Sequence, residues 1–192
     1  SICLVQQPRS IKIPERNKYF KVVDDVIFRK EMADLISYRN CTKQEYEVPN
    51  SVTNIDCNKF HGCSGLKLIT IPDSVKEIGP YAFSICKRLV SMAIPGTIEV
   101  LGPDPFTGCA ELSEIRIVGE SKNFKMVDGV LFNKEMTRLI WCSPEKSGNY
   151  EVSHTIWSID EEAFRFHKKL TSISIPYTIT KIGGRAFEEC TS

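Results

Sequence analysis

The dipeptide Ile-Pro returns along this chain at a fixed interval, and that recurrence constrains the fold more than any other feature. It stands at Ile13-Pro14, Ile71-Pro72, Ile94-Pro95 and Ile175-Pro176, with Val48-Pro49 as a near copy. Ile117 and Val152 occupy the same place without the proline. Val48, Ile71, Ile94 and Ile117 are 23 residues apart, as are Val152 and Ile175, whereas Ile13 to Val48 and Ile117 to Val152 each span 35. The whole pattern repeats at an offset of 104. There Phe20 faces Phe124, Phe28 faces Phe132, Leu35 faces Leu139, Lys30-Glu31-Met32 faces Lys134-Glu135-Met136 and Tyr46-Glu47-Val48 faces Tyr150-Glu151-Val152. A period between roughly 20 and 50 residues marks units too small to bury their own apolar side, so coils must stack on one another.

One unit shows how. In GLKLITIPDSVKEIGPYAFSIC, Leu66, Ile69 and Ile71 alternate toward their end as a half-buried strand does. Pro72 lacks the N–H that a ladder needs and should end the strand. Val75 and Ile78 return apolar side chains to the interior, Gly79 permits a corner, Ala82-Phe83 plug the opposite wall and Cys86 closes the coil. Stacking such coils at about 4.8 Å makes a parallel sheet on one wall and irregular or 3₁₀ turns on the other. Ile (21) outnumbers Leu (10), in keeping with strands. The 35-residue units, about 13–48 and 117–152, each add twelve residues. In the second, Asp128-Gly129 between apolar runs predicts a two-residue hairpin and Asn133 to Met136 a second turn, together a small β-meander. The first has Asp24-Asp25 there, a weaker turn former.

These residues resemble leucine-rich repeats of the treponemal, or BspA-like, type; IPDSVKEIGPYAFSICKRLVSMAIP and ISIPYTITKIGGRAFEEC are close to its repeat unit. The resemblance covers essentially the whole chain. It implies a leucine-rich-repeat solenoid, a curved right-handed superhelix, mostly β, with the parallel sheet on its concave side. It also implies a secreted or cell-surface protein that binds something, from bacteria or mucosal protists. Pro105, Val118, Ser153 and His167 depart from their columns. The expected organisation is a single array over 1–192. The chain starts at Ser1 and stops two residues after a column cysteine, which reads as a piece of a longer protein.

Composition narrows the function classes. Lys plus Arg number 25 and Asp plus Glu 24, a formal charge of +1 that supplies no basic nucleic-acid footprint. No apolar run approaches the roughly 18 residues of a membrane helix, and no basic, apolar leader is present. Cys63, Cys86, Cys109 and Cys190 share one column and read as stacked interior thiols, because parallel side chains do not converge as a disulfide needs. Cys3, Cys41, Cys57 and Cys142 are irregularly placed, and Cys57, His61 and Cys63 match no zinc spacing. His61 and His154 read as exposed polar residues and His167, in the cysteine column, as a tolerated swap near a turn. No nucleophile elbow, phosphate loop or carboxylate pair appears, so neither catalysis nor a metal or other cofactor is expected.

Binding should lie on the sheet. Between the inward positions fall Lys12, Glu47, Thr70, Ala93, Arg116, Glu151 and Ser174, a mixed set whose ordinary reading is a solvated face. Trp157 shares a column with Lys76, Glu99 and Thr180, and Trp141 stands opposite Ser37, so both are candidate contacts unless they pack onto a neighbouring coil. Lys12, Glu47, Thr70, Arg116, Glu151, Ser174, Trp141 and Trp157 are thus the candidate residues for a protein or glycan ligand. Asn40-Cys41-Thr42 fits a glycosylation sequon. The expected role is a non-catalytic adhesion or interaction module, with a structural spacer as the alternative.

Overall fold

The computed structural model describes residues 12–23, 26–29, 35–38 and 43–191. Cys3, Cys41, Asn40, Asp24-Asp25 and the first Lys-Glu-Met turn lie outside these. The chain begins with an antiparallel meander of β1 (Phe20–Val23), β2 (Val26–Arg29) and β3 (Leu35–Tyr38). Seven short strands then alternate between two walls: β4 (Glu45–Glu47), β5 (Asn54–Ile55), β6 (Leu68–Thr70), β7 (Glu77–Ile78), β8 (Ser91–Pro95), β9 (Val100–Leu101) and β10 (Glu114–Val118). The even-numbered ones form a broad parallel sheet, β10-β8-β6-β4, and the odd ones a narrow one, β5-β7-β9. A second meander follows, β11 (Phe124–Val127), β12 (Val130–Asn133) and β13 (Arg138–Cys142), and then β14 (Gly148–Glu151), β15 (Ser158–Ile159), β16 (Leu170–Ser174) and β17 (Lys181–Ile182). Here β14 pairs with β16, while β13, β15 and β17 pair in parallel as a second narrow wall, separate from β5-β7-β9. The fold is the expected solenoid, with no helix among the described residues, and none that could cross a membrane.

The columns behave as a stack requires. Ile69, Val75, Ile78, Ala82, Phe83 and Cys86 are all fully buried. Rings run up the interior: Phe60 stacks on Phe83 at 5.1 Å and Phe83 on Phe106 at 6.4 Å, while Phe164 stacks on Phe187 at 5.4 Å. The corner glycines are dictated by close approach: a Cβ on Gly79, Gly102 or Gly183 would sit 2.8, 2.5 or 2.2 Å from backbone nitrogen of the coil below. Each coil also needs a left-handed residue just before its cysteine column, filled by Gly62 and Gly108 but by Ile85 at φ 59° between them. A β-branched side chain there is strained.

One expectation needs correction. The wall opposite the broad sheet is not merely irregular, because two-residue strands pair there in parallel register, Asn54 with Glu77 and Glu77 with Val100. Proline does close the strand: β8 ends at Pro95, opposite Val118, and Gly96 N–H donates to the Val118 carbonyl at 2.7 Å.

The second meander forms as its turn residues dictate. Asp128 and Gly129 both have positive φ, as a two-residue hairpin needs. The Asn133 carboxamide oxygen accepts from the N–H groups of Thr137 and Arg138 at 2.9 and 2.7 Å, closing the second turn. Both meanders carry a bulge at the matching place, Ile27/Phe28 and Leu131/Phe132. β12 and β13 are buried on both faces, with Leu131, Ile140 and Trp141 in one core and Val130, Phe132, Leu139 and Cys142 in the next. The meander is therefore a partition between two stacks.

Candidate ligand-binding surface

Parallel pairing in register sets side chains of successive coils side by side, about 4.8 Å apart. On the broad sheet this yields rows. Tyr46, Ile69, Met92 and Ile115 form the inward row, all at 6% exposure or less. Facing outward are Glu45, Leu68, Ser91 and Glu114 in one row and Glu47, Thr70, Ala93 and Arg116 in the next. Arg116 is tied sideways to Glu114 by a 2.7 Å hydrogen bond. Three of the candidate residues, Glu47, Thr70 and Arg116, are thus aligned by the fold.

At the strand ends the surface dips into a groove of about 550 Å³. Val48, Ile71, Pro72, Ala93, Pro95 and Val118 give it apolar walls, and Glu47 on β4 and Asp73 in the turn after β6 also line it. Ala93 is the shortest apolar side chain lining the groove. Beyond Pro95, Gly96 is required by close approach, since a Cβ there would meet the Glu120 carbonyl oxygen at 2.3 Å. Val118, one of the departures from the proline column, is 56% exposed at the far wall. Among the described residues, Glu45, Glu47 and Asp73 make no ion pair. The nearby Lys76 ammonium instead bonds the Asp73 carbonyl at 3.0 Å.

The other candidates fall elsewhere. Glu151 lies opposite Ser174 in the separate β14-β16 pair, where Asn149 accepts hydroxyl bonds from Thr171 and Ser172, both at 2.8 Å. Lys12 is exposed and in no strand. Trp157 is 58% exposed on the narrow wall, its backbone bonded to Thr137 and Thr180. Trp141 is a correction: at 8% exposure it packs into the first core and is not a surface contact. Sequence reasoning did not single out Tyr177, 90% exposed with its ring 5.7 Å from His154, although the 104 offset sets it against Asp73.

Chemically, the interior groups are held inert. Cys86, Cys109 and Cys190 donate to the carbonyls of Phe60, Phe83 and Phe164 at 3.0, 3.1 and 3.1 Å, as stacked thiols should. Cys63 is an exception to the expected ladder: it is disulfide-bonded, while its column successors are free. Hydrogen bonding with Cys86 and burial push the Cys109 thiol well up, and burial pushes Cys142 up to about 12. His167, in the cysteine column, is fully buried. Its Nδ1 meets the Phe164 carbonyl at 2.7 Å, Nε2 has no hydrogen-bond partner, and burial lowers its pKa. Across the partition, the buried Glu162 carboxylate accepts from Gly108 N–H at 2.7 Å and pairs with Arg165 at 2.7 Å. Beside it Asp160 and Arg138 form a two-pronged pair at 2.6 to 3.0 Å. Burial raises the pKa values of the adjoining Asp104 and Glu161 carboxyls. Among the described residues no cluster could hold a metal ion.

Comparison with known proteins agrees with this architecture. No curated protein matches the sequence. Among solved structures, the pneumococcal vaccine antigen PcpA superposes with a TM-score of 0.58 at 21% identity, over 92% of this chain and 57% of that one. A leucine-rich repeat protein from Eubacterium ventriosum superposes with 0.54 at 20% identity, over 77% and 51%. The chain thus spans little more than half the length of either. The model of the BspA type leucine rich repeat region matches in six copies, over residues 35–144 and 141–192. With its strand rows, ring stacks and close-approach glycines, the chain belongs to the BspA-type leucine-rich repeat family.

Proposed function

We propose that this array is a non-catalytic interaction module of a secreted or cell-surface protein, binding a protein or glycan ligand through the outward face of its broad sheet. Leucine-rich repeat proteins are in general binding modules. The observation that carries the reading is the row Glu47, Thr70, Ala93 and Arg116, four different side chains set at regular spacing on a rigid, solvent-facing sheet. Hydrogen bonding with Cys86 at Cys109, and burial at both, keep the Cys109 and Cys142 thiols protonated, which supports a reading by surface recognition. The location is carried over from what PcpA is, a vaccine antigen, and from family habit.

The test is a screen of immobilised matrix proteins and glycans with this chain and with a Thr70→Arg, Arg116→Glu double variant, which changes the row while leaving the core intact. Binding to at least one surface that the variant loses supports the reading. Binding to none, or equal binding by both proteins, overturns it.

A further inference from the structure

The exposed side chains of the broad-sheet wall are not neutral, although the chain as a whole carries +1. Along β4, β6, β8, β10, β14 and β16 the outward charged residues are Glu45, Glu47, Glu114, Glu151 and a single cation, Arg116. That cation is already spent on Glu114. Lys67 and Lys169 stand just before β6 and β16, at the opposite edge of the wall, and Lys169 is paired with Glu145. The groove lies at the strand-end edge, where Asp73 adds a further carboxylate. Its two ends differ. Glu47 on β4 and Asp73 in the turn after β6 make the side of the first two coils acidic, with the Lys76 ammonium held back on the Asp73 carbonyl at 3.0 Å, and Pro95 and Val118 make the β10 end apolar.

From this asymmetry we infer that the groove takes an extended protein segment carrying a lysine or arginine followed by an apolar side chain, the cation at Glu47 and Asp73 and the apolar group between Pro95 and Val118. Charge complementarity selects the sign of the partner, and the apolar walls select what accompanies the charge. The spacing follows from the register. Glu47 and Arg116 stand three strand steps apart, about 14 Å at the usual strand spacing. An extended chain covers that in about four residues. The recognised pattern is a cation and an apolar residue four positions later, laid across the strands. The inference deepens the proposed function and rests on its reading of this wall as the binding surface.

Fluorescence anisotropy with two labelled, terminally blocked peptides tests it: Gly-Lys-Ser-Pro-Ser-Leu-Gly, and the same peptide with glutamate for lysine. The lysine peptide should bind on the order of fivefold to tenfold tighter at low salt, as two exposed charge contacts allow. Added salt should erode that preference. Glu47→Gln with Asp73→Asn should abolish the preference, and both positions are exposed, so the variant folds. Ala93→Phe should block the groove and weaken the lysine peptide, with a melting curve confirming the fold. Equal binding of the two peptides, no binding of either, or a preference that survives Glu47→Gln with Asp73→Asn overturns the inference. The broader reading is judged separately by the Thr70→Arg, Arg116→Glu screen, which needs no particular peptide.

Discussion

The coils between Val48 and Val118 and the long unit from there to Val152 solve the same problem by different means. In the regular coils each turn is cemented to the next by backbone hydrogen bonds that repeat with the sequence, such as Phe60 N–H to the Ala82 carbonyl and Phe83 N–H to the Pro105 carbonyl, 2.8 and 2.9 Å. Across the long unit neither parallel ladder continues, since β10 does not pair with β14 nor β9 with β13. The boundary is instead held by side chains used once: Glu162 to Gly108, Ser143 Oγ to the Ser113 carbonyl, and Asn123 to the Ile98 carbonyl. Repetition supplies the interface wherever coils are translated copies. Where an insert interrupts the register, the interface has to be built from singular residues.

Substitutions can separate the two solutions. The largest effect should come from a regular coil: Phe83→Ala leaves a void between Phe60 and Phe106 and should cost about 3–5 kcal/mol, read by urea denaturation. Glu162→Ala strikes the singular joint. It strips the Gly108 N–H of its acceptor and Arg165 of a buried partner, although Glu188 and Glu189 still bind that guanidinium at 2.8 and 2.9 Å. A loss of roughly 2 kcal/mol is expected. Unfolding of this variant should also split into two steps as the two cores uncouple, whereas that of Phe83→Ala stays cooperative. A single transition in both would show that the joint does not set the coupling.

His167→Cys restores the thiol column on the far side of the partition. In the folded chain burial disfavours the imidazolium, so the unfolded chain binds the extra proton. Stability present above the ordinary value of 6.5 is therefore lost as pH falls from there toward the lowered folded value. Melting temperatures measured between about pH 7.5 and pH 5 should fall further for the native chain than for His167→Cys. Parallel curves would remove His167 as the cause. The smallest effect is a gain. Ile85→Gly relieves a left-handed β-branched residue and should stabilise by about 0.5 kcal/mol, the relief being partly offset by lost chain entropy and apolar contact.

The sequence made legible whatever repeats. The strand rows, ring stacks and corner glycines follow from spacing, because each column is read several times over. It hid what occurs once. Glu162 shares its column with Asn58, Tyr81, Asp104 and Arg185, a mixed set that does not announce which member reaches across a partition. Trp141 is likewise opaque, since its register partner Ser37 suggested a position open to solvent. The narrow wall escaped notice because two-residue strands are too short to show alternation. The groove is legible only in part: Glu47 and Thr70 could be aligned from spacing, but its room depends on the single short side chain of Ala93.

The broken ladders also have a mechanical meaning. Among the described residues no backbone–backbone hydrogen bond joins the part up to Val118 with the part beyond it. A load applied along the stacking axis would be shared by many backbone bonds within each regular stack, but by a few side-chain bonds and the apolar seam of β12 and β13 at the partition. The array should therefore yield there first, parting into two still-coiled halves in one step and not by gradual unravelling.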